Sequence, residues 1–208
     1  MILKLNYILQ NSFYNLIRTK GITSTFILSV LISIISFFCF TLFLFFNHIH
    51  QQMVLSLENE TDLIVLQTNG APIMAIFFFK VSTFLLFIIL VFLSIGYIKK
   101  SFKQFLITQK SEFKIMSLLG ETSTALQVFY TLQVTIFSLL TISLGAILGN
   151  KLFYSSVIST LKIAVGSDNI NSFQGSTLLS FFIFLLIVTY IFITTFFISS
   201  KKVLSITS

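Results

Sequence analysis

Four long apolar runs alternate with polar stretches along the chain, and this alternation predicts its main elements. The runs cover residues 22–46, 73–98, 125–149 and 177–199. An α-helix rises 1.5 Å per residue, so about 20 apolar residues cross the roughly 30 Å hydrocarbon core of a bilayer. Each run is long enough to do this. The pattern therefore predicts an all-α membrane protein with four transmembrane helices.

The residues before the first run, 1–21, show a helical period instead of a continuous apolar stretch. Apolar side chains recur every three to four positions, at Ile2, Leu5, Leu9, Phe13 and Leu16. Polar and basic side chains fall on the opposite side, at Lys4, Asn11, Asn15 and Arg18. This spacing predicts an amphipathic helix that lies along the inner membrane surface and anchors the first span.

The remaining polar segments are predicted to lie outside the membrane. We expect outer loops at 47–72 and 150–176, a cytoplasmic helical segment at 99–124 and a cytoplasmic tail at 200–208. The sequence NGAP at 69–72 is typical of a turn, and it predicts the start of the second span just after it.

The composition excludes an ordinary soluble domain. Charged residues make up 9% of the chain and hydrophobic residues 56%, with a mean hydropathy of +1.01. Soluble domains carry about 25% charged residues, and so few charges cannot cover a surface that faces water. The net charge of +7 does not indicate binding to nucleic acid, because the basic residues border the apolar runs and form no basic groove.

The distribution of basic residues predicts the orientation in the membrane. With both termini inside, ten basic residues fall on cytoplasmic segments: Lys4, Arg18, Lys20, Lys99, Lys100, Lys103, Lys110, Lys114, Lys201 and Lys202. The outer loops hold only Lys151 and Lys162, and Lys80 lies within a run. Cytoplasmic loops of membrane proteins are enriched in Lys and Arg. The bias of ten against two therefore predicts cytoplasmic termini.

Lys80 lies about two helical turns inside the second run. A charge in the hydrocarbon is costly and marks a functional candidate, although a long lysine stem can also reach the membrane surface. Two interpretations stay open. Lys80 contacts a substrate or a lipid headgroup, or it snorkels to the surface or forms an ion pair within an assembly.

Gly145 and Gly149 form a GxxxG motif at the end of the third run. Two glycines four residues apart lie on one side of a helix and leave no side chains there. The motif predicts that another helix packs closely against this one.

The motifs of known nucleotide-binding and catalytic sites are absent from the sequence. It has no GxxxxGK[ST] loop, no HExxH, no GxSxG and no paired acidic residues within a run. We therefore predict that the chain is not an enzyme and binds no cofactor itself. His48 and His50 have no third ligand nearby in sequence, and Cys39 is the single cysteine. No metal site is predicted from these residues.

Two short segments resemble segments of the FtsX-like ABC transporter permeases. Residues 109–120, QKSEFKIMSLLG, resemble the stretch before the third span of that family, and the third run also ends in a glycine pair. Residues 11–20, NSFYNLIRTK, resemble the opening helix of the family. These motifs are short, but the resemblance to the family covers essentially the whole chain. It is greatest to the amino-terminal four-span unit of bacitracin-export-type permeases.

The resemblance implies a role in the bacterial cytoplasmic membrane. Permeases of this family pair with a dimer of a separate ABC-type ATPase, which binds ATP and Mg²⁺. The subfamily exports or removes antimicrobial peptides or lipid-linked envelope molecules. The resemblance implies that a coupling helix contacts the ATPase through Lys110, Glu112, Phe113, Lys114, Ile115, Met116, Leu119 and Gly120. An ordinary interfacial helix is the alternative interpretation of this segment. Gly120 can end the helix with a left-handed cap.

The chain departs from the family pattern, and this leaves other functions open. Division-type and macrolide-export-type members have a large folded domain between spans one and two, where this chain has only residues 47–72. Bacitracin-type permeases continue to ten spans, so we expect a second permease chain, identical or different, as a partner beside membrane lipid. The alternatives are a non-transporting mechanotransmission or sensory subunit that regulates an envelope enzyme or sensor kinase, and a small bacteriocin-immunity membrane protein.

Overall fold

The computed structural model describes residues 22–58, 63–108, 110–160 and 177–207, and nearly all of them are helical. The helices are α1 (Ile22–Glu58), α2 (Leu63–Thr108), α3 (Lys110–Leu118), α4 (Ser123–Phe153) and α5 (Thr177–Thr207). α4 continues directly into a π-helical turn, Tyr154–Ile158. The predicted amphipathic helix at 1–21 lies outside the described residues.

Four of the described helices are long and apolar enough to cross a membrane. The spanning segments are Ile22–Leu55, Ala71–Ile107, Ser123–Ile158 and Leu179–Ile198. This confirms the predicted all-α class with four apolar spanning helices, and the chain is a multi-pass membrane protein. The most apolar windows of the first and third spans are 39% and 44% buried, against 6% and 11% for the second and fourth. α1 and α4 therefore hold most of the core.

The predicted outer loop at 47–72 is wrong in its secondary structure. α1 continues to Glu58 and α2 begins at Leu63, so this stretch is helical on both sides of residues 59–62. The turn predicted at 69–72 lies inside α2, with Pro72 in the helix interior.

Aromatic contacts join α1 to α2 near the ends of their apolar runs. The rings of Phe46 and Phe79 stack with centroids 5.8 Å apart. One turn further along α1, the His50 ring lies 5.7 Å from the Phe77 ring. Tertiary packing of this kind supplies most helical stability in proteins, and here it pairs the two helices where their polar extensions begin.

Other predicted boundaries also fall inside helices. α2 continues without a break to Thr108, so the first part of segment 99–124 extends the second span. α4 passes residue 149 and continues through the π-helical turn, while 161–176 lie outside the described residues. α5 continues through most of the predicted tail, to Thr207. An apolar run marks the part of a helix suited to lipid, whereas the backbone hydrogen bonds that make the helix do not depend on apolar side chains.

The chain forms two compact units. Of the described residues, unit 1 holds those within Met1–Leu31, Leu93–Leu144 and Phe181–Ser208, and unit 2 holds those within Ile32–Phe92 and Gly145–Ser180. Each of α1, α2, α4 and α5 contributes residues to both units.

In unit 1, α4 packs against parts of α1, α2 and α5. The ring of Phe137 has its centroid 5.8 Å from that of Phe26 and 5.0 Å from that of Phe102, in edge-to-face contacts. Gln127 donates a hydrogen bond from Nε2 to the backbone carbonyl of Phe196, at 3.0 Å. In this unit α4 therefore contacts α1, α2 and α5.

In unit 2, α1 runs antiparallel to α2. Phe40 pairs with Phe87 and Phe43 with Phe84, each pair with centroids 5.0 Å apart. The numbers rise on α1 as they fall on α2, which establishes the antiparallel direction.

The same unit joins α1 to the end of α4. The Thr41 hydroxyl lies 2.6 Å from Oδ1 of Asn150 and donates a hydrogen bond to it. Phe45, Phe153 and Ile158 form a buried apolar cluster. Phe153 immediately precedes the π-helical turn and Ile158 is its last residue, and the wider period of the turn lets residues five apart reach one cluster.

Candidate functional site

α3 presents a basic and apolar surface formed by Lys110, Lys114, Ile115 and Leu118. The two lysines are exposed, Ile115 is 57% exposed and Leu118 is 79% exposed. At 100° per residue, these four positions fall within an arc of about 140° on the helix. Leu119, just after the helix, is 80% exposed. We call Lys110, Lys114, Ile115 and Leu118 the α3 face.

The predicted coupling residues do not share one side of α3. Ile115 is exposed on the α3 face, whereas Met116 is half-buried on the other side of the helix. The sequence prediction assigned both to the contact with the ATPase, and it omitted Leu118. A spacing of four residues from Lys114 would have placed Leu118 beside the lysines. The side chains of Glu112 and Phe113 lie outside the described residues.

A glycine cap ends α3. Gly120 has φ +92°, and its N–H donates to the Ser117 carbonyl at 3.1 Å. The N–H of Glu121 donates to the Met116 carbonyl, also at 3.1 Å. These two bonds form a Schellman motif, which requires a residue in the left-handed conformation. The cap predicted at Gly120 is confirmed.

The connection from α3 to α4 is short and held at both ends. Thr122 caps the start of α4, where its Oγ1 accepts a hydrogen bond from the Ala125 N–H at 3.3 Å. This is a typical N-cap. Only residues 119–122 lie between the two helices. α3 and α4 are therefore joined by four residues, with a hydrogen-bonded cap on each helix.

Lys99 links α2 to α5 within unit 1. Its Nζ lies 4.7 Å from the centroid of the Tyr190 ring. A cation this close to an aromatic face is attracted by the electrons of the ring. The sequence identified Lys99 only as one of the basic residues that flank a span, because nothing in the sequence paired it with Tyr190.

Lys80 lies at one end of an uncharged stretch of α2. Residues 81–98 separate it from Lys99, and they are about 27 Å long as a helix, close to the thickness of the hydrocarbon core. α2 continues on the far side of Lys80 as far as Leu63. The half-buried Lys80 has its Nζ 5.9 Å from the Phe77 ring, on that far side. This placement matches a lysine at the edge of the hydrocarbon.

Gly145 and Gly149 lie in close contact with α1 in unit 2. A Cβ built on Gly145 would overlap the Ser33 Cβ and lie 2.9 Å from the Ser33 backbone carbonyl carbon. A Cβ on Gly149 would lie 2.7 Å from the Ile34 carbonyl oxygen. The helix that approaches the GxxxG motif is thus α1 of the same chain.

The described side chains include no group of three His, Cys, Asp or Glu residues placed to hold a metal ion. The candidate functional features are the α3 face, Lys80, and the glycine pair Gly145 and Gly149. Searches against known protein families, curated proteins and solved structures found no match to this chain.

Proposed function

We propose that this chain is the permease subunit of a bacterial ABC transporter, inserted in the cytoplasmic membrane with both termini in the cytoplasm. A separate ATPase dimer binds ATP and Mg²⁺, and a second permease chain, identical or different, completes the membrane part. The cargo is an antimicrobial peptide or a lipid-linked envelope molecule.

The observation that supports this proposal is the α3 face. Two lysines and two aliphatic side chains are exposed on a short helix between two spanning helices. Large exposed aliphatic side chains beside charges are suited to a groove on a protein partner, where the apolar groups become buried. The helix is rigidly capped at Gly120, so it can transmit force without unwinding.

Movement of the ATPase would reach the membrane through α3. In this proposal the α3 face binds the ATPase, and closure of the ATPase dimer displaces α3. The capped connection at 119–122 then moves the start of α4. α4 is one of the two most buried spans, so its displacement changes the packing of the core.

Charge reversal on the α3 face tests the proposal. The double variant Lys110→Glu with Lys114→Glu is compared with Lys151→Glu, an exposed lysine near the end of α4. Each tagged variant is purified in mild detergent from its native host, and the co-purified ATPase is quantified by mass spectrometry. We expect the double variant to lose ATPase at least about tenfold, equivalent to about 1.4 kcal/mol, and Lys151→Glu to retain it.

The same purification separates the alternative functions. An ATPase together with an extracellular enzyme or a histidine kinase would favour a mechanotransmission or sensory subunit. If no ATPase co-purifies with the wild-type chain, the proposal is wrong and a bacteriocin-immunity protein becomes the leading explanation.

A further inference from the structure

Gln133 is a fully buried amide within a spanning segment. It lies on α4 in unit 1, inside Ser123–Ile158, and its side chain is 0% exposed. Within the described part of the chain, neither Oε1 nor Nε2 of Gln133 has a hydrogen-bond partner. A buried amide without partners is costly, because it has lost its bonds to water and gained none in return.

Threonine hydroxyls on the same helix, in contrast, have hydrogen-bond partners. Thr131 donates to the Gln127 carbonyl at 2.8 Å, and Thr135 donates to the Thr131 carbonyl at 2.7 Å. Thr141 donates to the Phe137 carbonyl at 3.0 Å. A hydroxyl needs only one nearby carbonyl of its own helix. The Gln133 amide has two donors and one acceptor, and it needs partners from outside its helix.

Gln127 shows that unit 1 can satisfy a glutamine. It lies on α4 six residues before Gln133, and its Nε2 donates to the Phe196 carbonyl on α5 at 3.0 Å. The residue type and the helix are the same, although Gln127 is half-buried and Gln133 is fully buried. Gln127 therefore serves as a control for the loss of a hydrogen-bonded glutamine from α4.

We infer that unit 1 has a second arrangement, in which α4 is displaced and the Gln133 amide is hydrogen-bonded. The cost of the orphaned amide raises the free energy of the described arrangement and so increases the population of the other one. Gln133 is therefore a conformational switch: it destabilises the described arrangement and so allows α4 to move to the other one. This inference does not depend on the proposed transport function.

Leucine substitutions test the inference through the sign of a stability change. Gln133→Leu keeps the size of the side chain and removes the orphaned polar atoms, so we expect its melting temperature in lipid nanodiscs to rise by about 2 to 4 °C. Gln127→Leu removes a hydrogen bond and leaves the Phe196 carbonyl without it, so its melting temperature is expected to fall. A fall or no change for Gln133→Leu would overturn the inference, because the amide would then be costing the described arrangement nothing.

Cysteine labelling tests the second arrangement directly. Val134→Cys is made with Cys39→Ser, which removes the single native thiol, in one background that keeps Gln133 and in another that carries Gln133→Leu. Val134 is 0% exposed on α4, so a water-soluble maleimide labels its thiol only when α4 moves. We expect labelling to be about fivefold faster where Gln133 is kept, because only there does the orphaned amide favour the second arrangement. Equal rates in the two backgrounds would overturn the inference, since the amide would then have no effect on how often α4 moves.

Discussion

The smallest residues determine how closely α1 and α4 approach in unit 2. Gly145 and Gly149 leave room for the backbone of α1 beside Ser33 and Ile34. Helices in lipid gain little from the hydrophobic effect against each other, so close van der Waals contact at small residues is a main source of their association. The GxxxG motif predicted a close approach, but a sequence pattern cannot identify the partner helix.

A single methyl group at Gly145 tests this contact. We expect Gly145→Ala to reduce the free energy of unfolding by about 1 to 3 kcal/mol, because the new Cβ would overlap Ser33 and force the helices apart. Gly96→Ala is the control, since no atom lies within 4 Å of its added Cβ. It should be neutral or stabilising by up to about 1 kcal/mol. Unfolding in mixed micelles measures both, and equal stability of the two variants would contradict the role of Gly145.

At the scale of elements, the sequence predicted the number and the centres of the spanning helices, but not their ends. Apolar runs identify the side chains that suit contact with lipid. They do not identify every residue whose backbone is helical. The polar residues at 47–58 and 63–72 continue the helices beyond the apolar runs, because backbone hydrogen bonds and not apolar side chains make a helix. The end of α3 could be predicted, because the left-handed cap at Gly120 is a local requirement of one residue type.

The cap of α3 gives a second prediction. Gly120→Val places a β-branched residue at φ +92°, which costs roughly 1 to 2 kcal/mol and unravels the last turn of α3. We expect it to abolish ATPase co-purification while the amount of protein in the membrane stays unchanged. Gly120→Asn is the control, because Asn tolerates the left-handed conformation. If Gly120→Val retained the ATPase as well as the wild type does, the capped helix would not be the docking element.

At the scale of the whole molecule, charge and burial divide the chain in different ways. Basic residues concentrate in the connection between the second and third spans and near both termini. Burial instead separates α1 and α4 from α2 and α5. The sequence predicted the first division by counting lysines. It did not predict the second. The third span is less apolar, with a mean hydropathy of 1.9, but the buried first span and the exposed second span have the same value of 2.7. Hydropathy therefore does not indicate which of the spans are buried.

The orientation gives a third prediction, tested by labelling intact cells. Lys114→Cys and Lys151→Cys each place a thiol at an exposed position, and the native Cys39 is buried. We expect a membrane-impermeant maleimide to label Lys151→Cys from outside, and Lys114→Cys only after the cells are permeabilised. This follows from the excess of basic residues on the cytoplasmic side. The reverse pattern would invert the proposed topology.

The exposure of α2 and α5 has an evolutionary consequence. Their outward side chains are mostly Phe, Leu and Ile, as at Phe78, Phe92 and Phe182, and lipid accepts any of these equally well. We therefore expect substitutions among them to be close to neutral and to accumulate over evolution. Gly145 and Gly149 should allow few replacements, because a Cβ at either position would overlap α1. Across related sequences, we expect these two glycines to vary less than the exposed phenylalanines.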